Sequence, residues 1–279
     1  MPATRVHVRF PSVSFVSLAE YEEYLRDTRS RLDARHAHER SLASAGEAVL
    51  RDGTCAPCLR RARFTARTIG GEALDDGRLV PNWREQLACD CEDHLNNRHR
   101  ALLHFLAAEA GLRPWSRVLL FGPPGAVDRR IAAAAASVVS VPRLGFARAG
   151  AGVQGYRLEA EDEAVHLVVS ADALHRVPPL AAALAELRRV LVPGGSFVFT
   201  VPFRSLAARS VARLENLPRV SGRLPTEAGG EVHALGWDIL DQLRDAGFGN
   251  ARAHAYWSDE LGYLGAGNMI FSAVAEELS

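Results

Sequence analysis

Residues 166–203, HLVVSADALHRVPPLAAALAELRRVLVPGGSFVFTVPF, contain two apolar segments separated by a helical pattern. The segment AVHLVVS (164–170) is apolar almost throughout, as is SFVFTVP (196–202) after the turn PGG. Between them, residues 178–191 place leucines on one face of a predicted helix, namely Leu180, Leu184, Leu187 and Leu191. Continuous apolar strands separated by helices are typical of parallel sheets covered on both faces, so this stretch predicts an α/β fold.

The same alternation extends on both sides of this stretch, from Arg117 to the C-terminus. Gly122 and Gly125 follow the first strand, and a helix is predicted to end at Gly247. The further predicted strands are RVLLF (117–121), SVVSV (137–141), a weak GYRLE (155–159), ARAHAYW (251–257) and NMIFSAVAE (268–276). The further predicted helices are 126–136 and HALGWDILDQLRDAG (233–247).

The N-terminal region carries a different pattern. Residues 6–16 alternate like a short strand, and Ser17 with Glu20 is typical of a capping box that opens a helix. An apolar stripe predicts that this helix continues to about Leu50, and it could serve the core or a homodimer interface. The stripe consists of Leu18, Tyr21, Leu25 and Leu32. A second helix is predicted from about Leu95 to Ala110, before Gly111.

Three blocks of the C-terminal portion together resemble the class I methyltransferases that depend on S-adenosylmethionine. The blocks are RVLLFGPPG (117–125), residues 166–203 and LGWDILDQLRDAGF (235–248), and the resemblance covers about residues 95–279. It implies a Rossmann-like sheet of seven strands with helices on both faces and an antiparallel final strand. We therefore predict three parts, namely an N-terminal strand and helix (1–53), a cysteine-rich module (54–94) and a methyltransferase-like domain (95–279).

The resemblance implies a cofactor site at the carboxyl ends of the strands, where ligands of such sheets bind. The positions that match its cofactor contacts are Phe121, Gly122, Gly125, Val141, Pro142, Ser170 and Ala171. Pro123 and Pro124 make the first loop stiff and poor in N–H donors. No carboxylate follows the second strand, where the family usually binds the ribose. Two lost hydrogen bonds of about 1 kcal/mol each would weaken binding by one or two orders of magnitude.

His175 and Arg176 occupy the place of the family's common Glu-His pair after the fourth strand. We assign His175 as the candidate general base, with Arg176 and Arg204 as substrate contacts. The activity implied is methyl transfer from S-adenosylmethionine to a hydroxyl, amine or carbon of a small molecule. The alternative is a homologue that no longer methylates, acting as a binding partner or running another reaction in a reshaped pocket.

Four cysteines form the pattern C-x2-C-x30-C-x-C, namely Cys55, Cys58, Cys89 and Cys91. Two thiolate pairs could fill a closed tetrahedral shell, so the pattern predicts a structural zinc ion. Because the second pair is unusually tight, His94 could replace one cysteine, and four idle thiols remain the alternative. The segments CAPC and WREQLACDCEDHLNNRHRALL also resemble a cysteine module that precedes some methyltransferase domains.

Composition restricts the partners of the 279-residue chain. Its formal net charge is zero and it contains no lysine, so a lysine nucleophile is excluded and no general attraction to nucleic acid is expected. A basic group in the cysteine module raises nucleic-acid binding as a lesser alternative to a solvated face, namely Arg60, Arg61, Arg63 and Arg67. No apolar run spans a bilayer and MPATRVHVRFP lacks a signal-peptide core, which predicts a cytoplasmic protein without membrane contact.

Overall fold

The computed structural model describes most of the chain, namely residues 9–122, 125–141, 146–148, 154–156, 158, 160–177, 179–212 and 233–277. Its α-helices are α1 (Leu18–Asp27), α2 (Arg29–Ser41), α3 (Trp83–Gln86), α4 (Asn97–Ala108), α5 (Ala126–Ala132), α6 (Leu180–Val190) and α7 (Ile239–Asp245). Its strands are β1 (Ser12–Phe15), β2 (Ala48–Cys55), β3 (Arg60–Arg67), β4 (Glu72–Ala73), β5 (Leu79–Val80), β6 (Leu87–Cys89), β7 (Arg117–Phe121), β8 (Ser137–Val141), β9 (Phe146–Arg148), β10 (Gln154–Tyr156), β11 (Val165–Ala171), β12 (Leu191–Thr200), β13 (Val211–Ala212), β14 (His233–Ala234), β15 (Phe248–Tyr256) and β16 (Met269–Ala275).

The chain divides into two compact units. The first is formed by the N-terminal residues through Val13, by Tyr21–Gly111 and by Ala255–Asn268. It contains the antiparallel sheet β2–β3–β6. The second is formed by Ser14–Glu20, Leu112–His254 and the C-terminal residues from Met269. No helix in the described ranges is both long and apolar enough to cross a bilayer.

A seven-stranded sheet has the order β1–β15–β16–β12–β11–β7–β8. Strands β8, β7, β11 and β12 pair in parallel, and β16 pairs with β12 in the antiparallel direction. A parallel core with an antiparallel last strand is the predicted arrangement. The fold class is therefore confirmed.

Apolar packing explains why residues 166–203 fold as predicted. Helix α6 buries one face through Leu180, Leu184 and Leu187, at helical spacing. On the neighbouring strands, the ring of Phe199 lies 4.8 Å from that of Phe197 and 5.0 Å from that of Phe271. This aromatic row is fully buried, so the centre of the sheet is also the centre of the core.

The weak third strand predicted at residues 155–159 does not join the seven-stranded sheet. Strand β10 instead pairs with β9 in a separate antiparallel sheet of two strands, and residues 157 and 159 lie outside the described part of the chain. The seventh place is taken by β1 at the opposite edge. The sheet therefore has the predicted number of strands, but the N-terminal segment contributes one of them. An edge strand has unpaired backbone groups, so any segment that can pair with them can extend the sheet.

The single helix predicted up to Leu50 is wrong in its second half. The Ser17–Glu20 capping contact is present, since the Glu20 N–H donates to Ser17 Oγ at 3.3 Å. The helix is interrupted at Thr28, whose hydroxyl donates to the Tyr24 carbonyl, and α2 ends at Ser41. Residues 48–55 form β2 instead, because pairing with β3 satisfies their backbone groups.

The helix predicted over residues 233–247 is shorter than expected. His233–Ala234 form strand β14, and α7 begins only at Ile239. Its predicted end is confirmed, because Gly247 has a positive φ of 85° in the position of a C-terminal cap.

Acidification should destabilise the second unit through His254 in β15. His254 Nε2 lies 2.8 Å from Ser272 Oγ, and burial, aided by the charge of Arg252, lowers the pKa of His254 to about 4. The imidazole is then neutral in the folded state, whereas the unfolded chain takes up a proton below about pH 6.5. Stability present above pH 6.5 should be lost as the pH falls toward 4, by up to about 3 kcal/mol.

This prediction is tested by urea unfolding at pH 7.5 and pH 4.5. The difference between the two free energies of unfolding should shrink in His254→Gln. It should be unchanged in the control His36→Gln, whose side chain is exposed. An equal acid-induced loss in wild type and His254→Gln would assign the effect to other groups.

Candidate functional site

The turn after β7 requires glycine. Gly122 has a φ of 141°, and its N–H donates to the Val141 carbonyl at 3.1 Å. A Cβ at this position would lie 3.2 Å from the Cβ of Ala173, in the loop that follows β11. Gly122 therefore allows the ends of β7, β8 and β11 to approach closely at the carboxyl edge of the sheet.

A small hollow opens at this edge, and it contains a carboxylate that the sequence analysis did not identify. Its lining is Leu120, Phe121, Gly122, Val127, Asp128, Val169 and Ala171. Asp128 Oδ2 accepts a hydrogen bond from the Gly125 N–H at 3.3 Å, and burial raises the pKa of Asp128. The signal available in the sequence was an acid three residues after the glycine that precedes a helix, which is an N-terminal capping pattern.

Four candidate residues lie on the neighbouring strands β7, β8 and β11 at the same edge. Phe121 pairs with Val141 on one side and with Ser170 on the other, and Ala171 follows Ser170. Ser170 is fully buried, and no hydrogen-bond partner of its hydroxyl is found within the described ranges. Pro123, Pro124 and Pro142 lie outside the described residues.

The end of β8 offers only an apolar side chain. Val141 is the last residue of this strand, and its carbonyl already accepts from Gly122. A ribose bound there would find no side-chain acceptor at Val141. Asp128 places a carboxylate in the hollow beside the ends of β7 and β11.

His175 and Arg176 lie in a 3-10 turn, Leu174–Arg176, that follows β11. His175 is 2% exposed, and its Nε2 accepts from Arg176 Nε at 3.3 Å. A ring nitrogen that accepts must carry a lone pair, so this contact is compatible with a neutral imidazole protonated on Nδ1. Arg204 is exposed and lies after β12.

A second candidate site lies in the first unit, at one end of the β2–β3–β6 sheet. Cys55 ends β2, Cys58 closes the turn Ala56–Cys58, and Cys89 ends β6. The Sγ atoms of these three residues all lie within 4.8 Å of one another. Sulfur atoms around a tetrahedral zinc ion are about 3.8 Å apart, since each Zn–S bond is about 2.3 Å. The three cysteines could therefore hold a metal ion.

The fourth cysteine is buried beside this group. Cys91 is 6% exposed, and its sulfur is not one of the three that meet within 4.8 Å. His94 is exposed, has a positive φ of 47° and is not part of the group. Burial raises the pKa of Cys58, while the hydrogen bond to Cys55 and then burial raise the pKa of Cys89. These thiols stay protonated at neutral pH unless a cation displaces their protons.

Comparison with known proteins supports the resemblance found in the sequence. Residues 134–199 match the family model of a methyltransferase domain. This segment contains Val141, Ser170, Ala171, His175 and Arg176, whereas Gly122 and Gly125 precede it. The resemblance to methyltransferases is thereby confirmed. No curated protein matches the chain.

Several solved structures are similar to the chain at low identity. An S-adenosylmethionine-dependent methyltransferase from Mesorhizobium loti is 19% identical, covers 61% of this chain and 95% of its own, and has a TM-score of 0.42. A chain of the Haloferax volcanii complex that contains the Trm112 methyltransferase activator is 16% identical, with coverage of 65% and 92% and a TM-score of 0.44. A phosphoethanolamine N-methyltransferase from Haemonchus contortus, in complex with phosphomonomethylethanolamine and S-adenosylhomocysteine, is 14% identical, with coverage of 65% and 53% and a TM-score of 0.40.

Proposed function

We propose that this chain, which carries a methyltransferase-domain segment over residues 134–199, transfers the methyl group of S-adenosylmethionine to a small molecule. The family match is the observation that carries the proposal. The glycine turn at the carboxyl edge of the same sheet supports it, because ligands of such sheets bind at that edge. The zero net charge, which creates no general attraction for nucleic acid, favours a small molecule as acceptor.

The residues at the edge fit one half of the cofactor better than the other. S-adenosylmethionine supplies an electrophilic methyl group on a positively charged sulfonium. Gly122, Gly125 and Asp128 would hold the charged methionine half, because glycines permit close backbone approach and the carboxylate complements the cation. Phe121, Val141, Pro142, Ser170 and Ala171 would contact the remainder. With Val141 in place of a ribose-binding acid, we expect affinity to depend strongly on Asp128.

His175 is proposed as the general base that removes a proton from the methyl acceptor, with Arg176 and Arg204 as substrate contacts. The imidazole is neutral when its Nε2 accepts from Arg176, and a neutral imidazole is the form that can take a proton. Movement of the Arg176 guanidinium toward an anionic substrate would free that lone pair. Substrate binding would then leave His175 Nε2 free to accept the proton.

A second candidate function is that of a homologue that binds a ligand at this edge without methylating. The observation that favours it is Val141, whose apolar side chain stands where the family usually has an acid for the ribose. A cofactor that is not held cannot react. Cofactor binding therefore separates the two candidates.

Calorimetric titration with S-adenosylmethionine and S-adenosylhomocysteine tests the proposal. We expect wild type to bind in the micromolar range and Asp128→Asn to bind about tenfold more weakly, since a charge-assisted contact contributes about 1.5 kcal/mol. Asparagine keeps an acceptor for the Gly125 N–H, so the variant isolates the charge. In the control Asp241→Asn, an exposed acid paired with Arg244 is neutralised, and affinity should not change. No binding of either ligand to wild type would exclude methyl transfer and leave the second candidate.

We further propose that the metal of the first unit is zinc, that it is structural, and that Cys91 completes the shell with Cys55, Cys58 and Cys89. Support comes from the clustering of three sulfur atoms and from the burial of Cys91 beside them. A shell of four thiolates leaves no open position for a substrate. The metal would therefore stabilise the unit and take no part in the reaction.

A further inference from the structure

Arg100 is a charged side chain that is completely buried in the first unit. It lies on α4 with an exposed fraction of 0%. Its guanidinium donates to three carbonyls, those of Leu261 at 2.6 Å, Gly262 at 2.8 Å and Leu87 at 3.3 Å. The guanidinium carbon also lies 4.1 Å from the ring centroid of Phe64. The side chain is therefore held tightly by backbone dipoles and a ring face.

These contacts do not neutralise the charge. Within the described ranges, no carboxylate lies within 4.0 Å of the Arg100 nitrogens, and no acceptor is found for its Nε. A buried ion without a counter-charge is strongly unfavourable, and buried arginines are normally paired. Burial accordingly lowers the pKa of Arg100. A negative charge near Arg100 would therefore lower the free-energy cost of burying its guanidinium.

Two of the residues that contact Arg100, Leu87 and Phe64, lie on the same small sheet as the cysteine cluster. Leu87, whose carbonyl accepts from Arg100, precedes Cys89 by two residues in β6. Phe64, the ring under the guanidinium, is the cross-strand partner of Cys89. Three or four thiolates around a divalent zinc ion leave a net charge of minus one or minus two.

We propose that Arg100 is the counter-charge of the metal centre, so that metal binding by the cysteines and burial of the guanidinium stabilise each other. This inference lies outside methyl transfer and rests on the metal centre proposed above. Arg100 is then a positioning residue for the centre and not a ligand. Zinc should bind more weakly when the positive charge is removed, even if the hydrogen bonds to the carbonyls are partly kept.

The experiment measures zinc affinity by competition with a chromophoric chelator in full-length protein. Arg100→Lys keeps the charge, whereas Arg100→Gln keeps donors without the charge. We expect Arg100→Gln to bind zinc at least about tenfold more weakly than wild type and Arg100→Lys to lose much less, because charge interaction persists over several ångströms in the interior. If Arg100 had only a structural role, Arg100→Gln and Arg100→Lys would lose zinc affinity equally, or Arg100→Lys would lose more.

The matched control is Arg98→Gln on the same helix. Arg98 pairs with Glu85 at 3.2 Å, so this cation already has its own counter-charge and its loss should leave zinc affinity within about threefold. If wild type binds zinc but Arg100→Gln binds as tightly as Arg100→Lys, the inference about Arg100 is wrong. If wild type binds no zinc, the metal centre itself is wrong. Each result is independent of cofactor binding at the other unit.

Urea unfolding supplies a second measurement, which compares the stability of wild type and variant with and without zinc. In metal-free, reduced protein the guanidinium has no thiolate partner, so Arg100→Met loses only the hydrogen bonds to the carbonyls and should lower the urea concentration of unfolding less than it does with zinc bound. With zinc bound, the same variant should unfold at a lower concentration than wild type. If Arg100→Met is destabilised equally with and without zinc, the proposal is wrong. If the metal-free unit does not fold, the zinc affinities of Arg100→Gln and Arg100→Lys test the proposal alone.

Discussion

Replacing Cys89 by serine is expected to abolish metal binding and unfold the β2–β3–β6 sheet. Cys89 is 1% exposed and ends β6, an edge strand of this small sheet, and its sulfur lies within 4.8 Å of the sulfurs of Cys55 and Cys58. A sheet of only three strands buries little apolar surface, so it depends on additional stabilisation. Structural zinc contributes about 10–16 kcal/mol of apparent binding free energy in zinc-finger peptides, which is of the order needed to fold the unit.

Metal content and unfolding together test this expectation. Wild type should contain one equivalent of zinc by plasma mass spectrometry, and Cys89→Ser should contain none and lose circular-dichroism signal at a lower temperature. His94→Ala is the matched control, because His94 lies five residues away, is exposed and should be dispensable. Retention of a full equivalent in Cys89→Ser, or its loss in His94→Ala, would show that the ligand set is different.

Truncating Phe199 should strongly destabilise the core of the seven-stranded sheet. The ring is 0% exposed and stacks between Phe197 and Phe271 on its own and the adjacent strand. Removing a buried phenyl ring loses its transfer free energy and leaves a cavity that close-packed neighbours fill poorly. We expect Phe199→Ala to lower the free energy of unfolding by about 3–5 kcal/mol.

Urea unfolding followed by circular dichroism measures this loss. Val139→Ala on β8 is the comparison, because Val139 is 48% exposed and its truncation should change the free energy of unfolding by no more than about 0.5 kcal/mol. A loss below about 1.5 kcal/mol in Phe199→Ala would mean that the aromatic row is not the core of the unit.

The central strands and α6 could be predicted because their signal is local. The apolar runs around Val168 and Phe197 and the leucines from Leu180 to Leu187 have the periods of a strand and a helix, and both elements bury those residues. Gly122 could be singled out for the same reason. A glycine directly after an apolar strand indicates a turn, and its φ of 141° is one that other residues rarely adopt.

Which strand pairs with which could not be predicted from the apolar periodicity of single segments. Strand β1 and strand β10 are both short and alternating, yet only β1 joins the seven-stranded sheet. Residues 48–55 likewise fit the end of a helix until β3 supplies hydrogen-bond partners. The residues of a site depend on the fold in the same way. Asp128 is a candidate because α5 places it beside the ends of β7 and β11.

Residue type and spacing were therefore enough to predict the α/β class, the apolar strands at its centre, the glycine turn and four thiols with metal-ligand spacing. Each of these follows from residue type and spacing along a few turns or strands. The choice of the strand that closes the sheet, the meeting of three sulfurs, and the packing of Arg100 from α4 against the ring of Phe64, the cross-strand partner of Cys89, were visible only in the folded chain. These outcomes depend on contacts between residues that are distant along the chain, such as Cys55 with Cys89 and Arg100 with Leu261, and local periodicity carries no information about them.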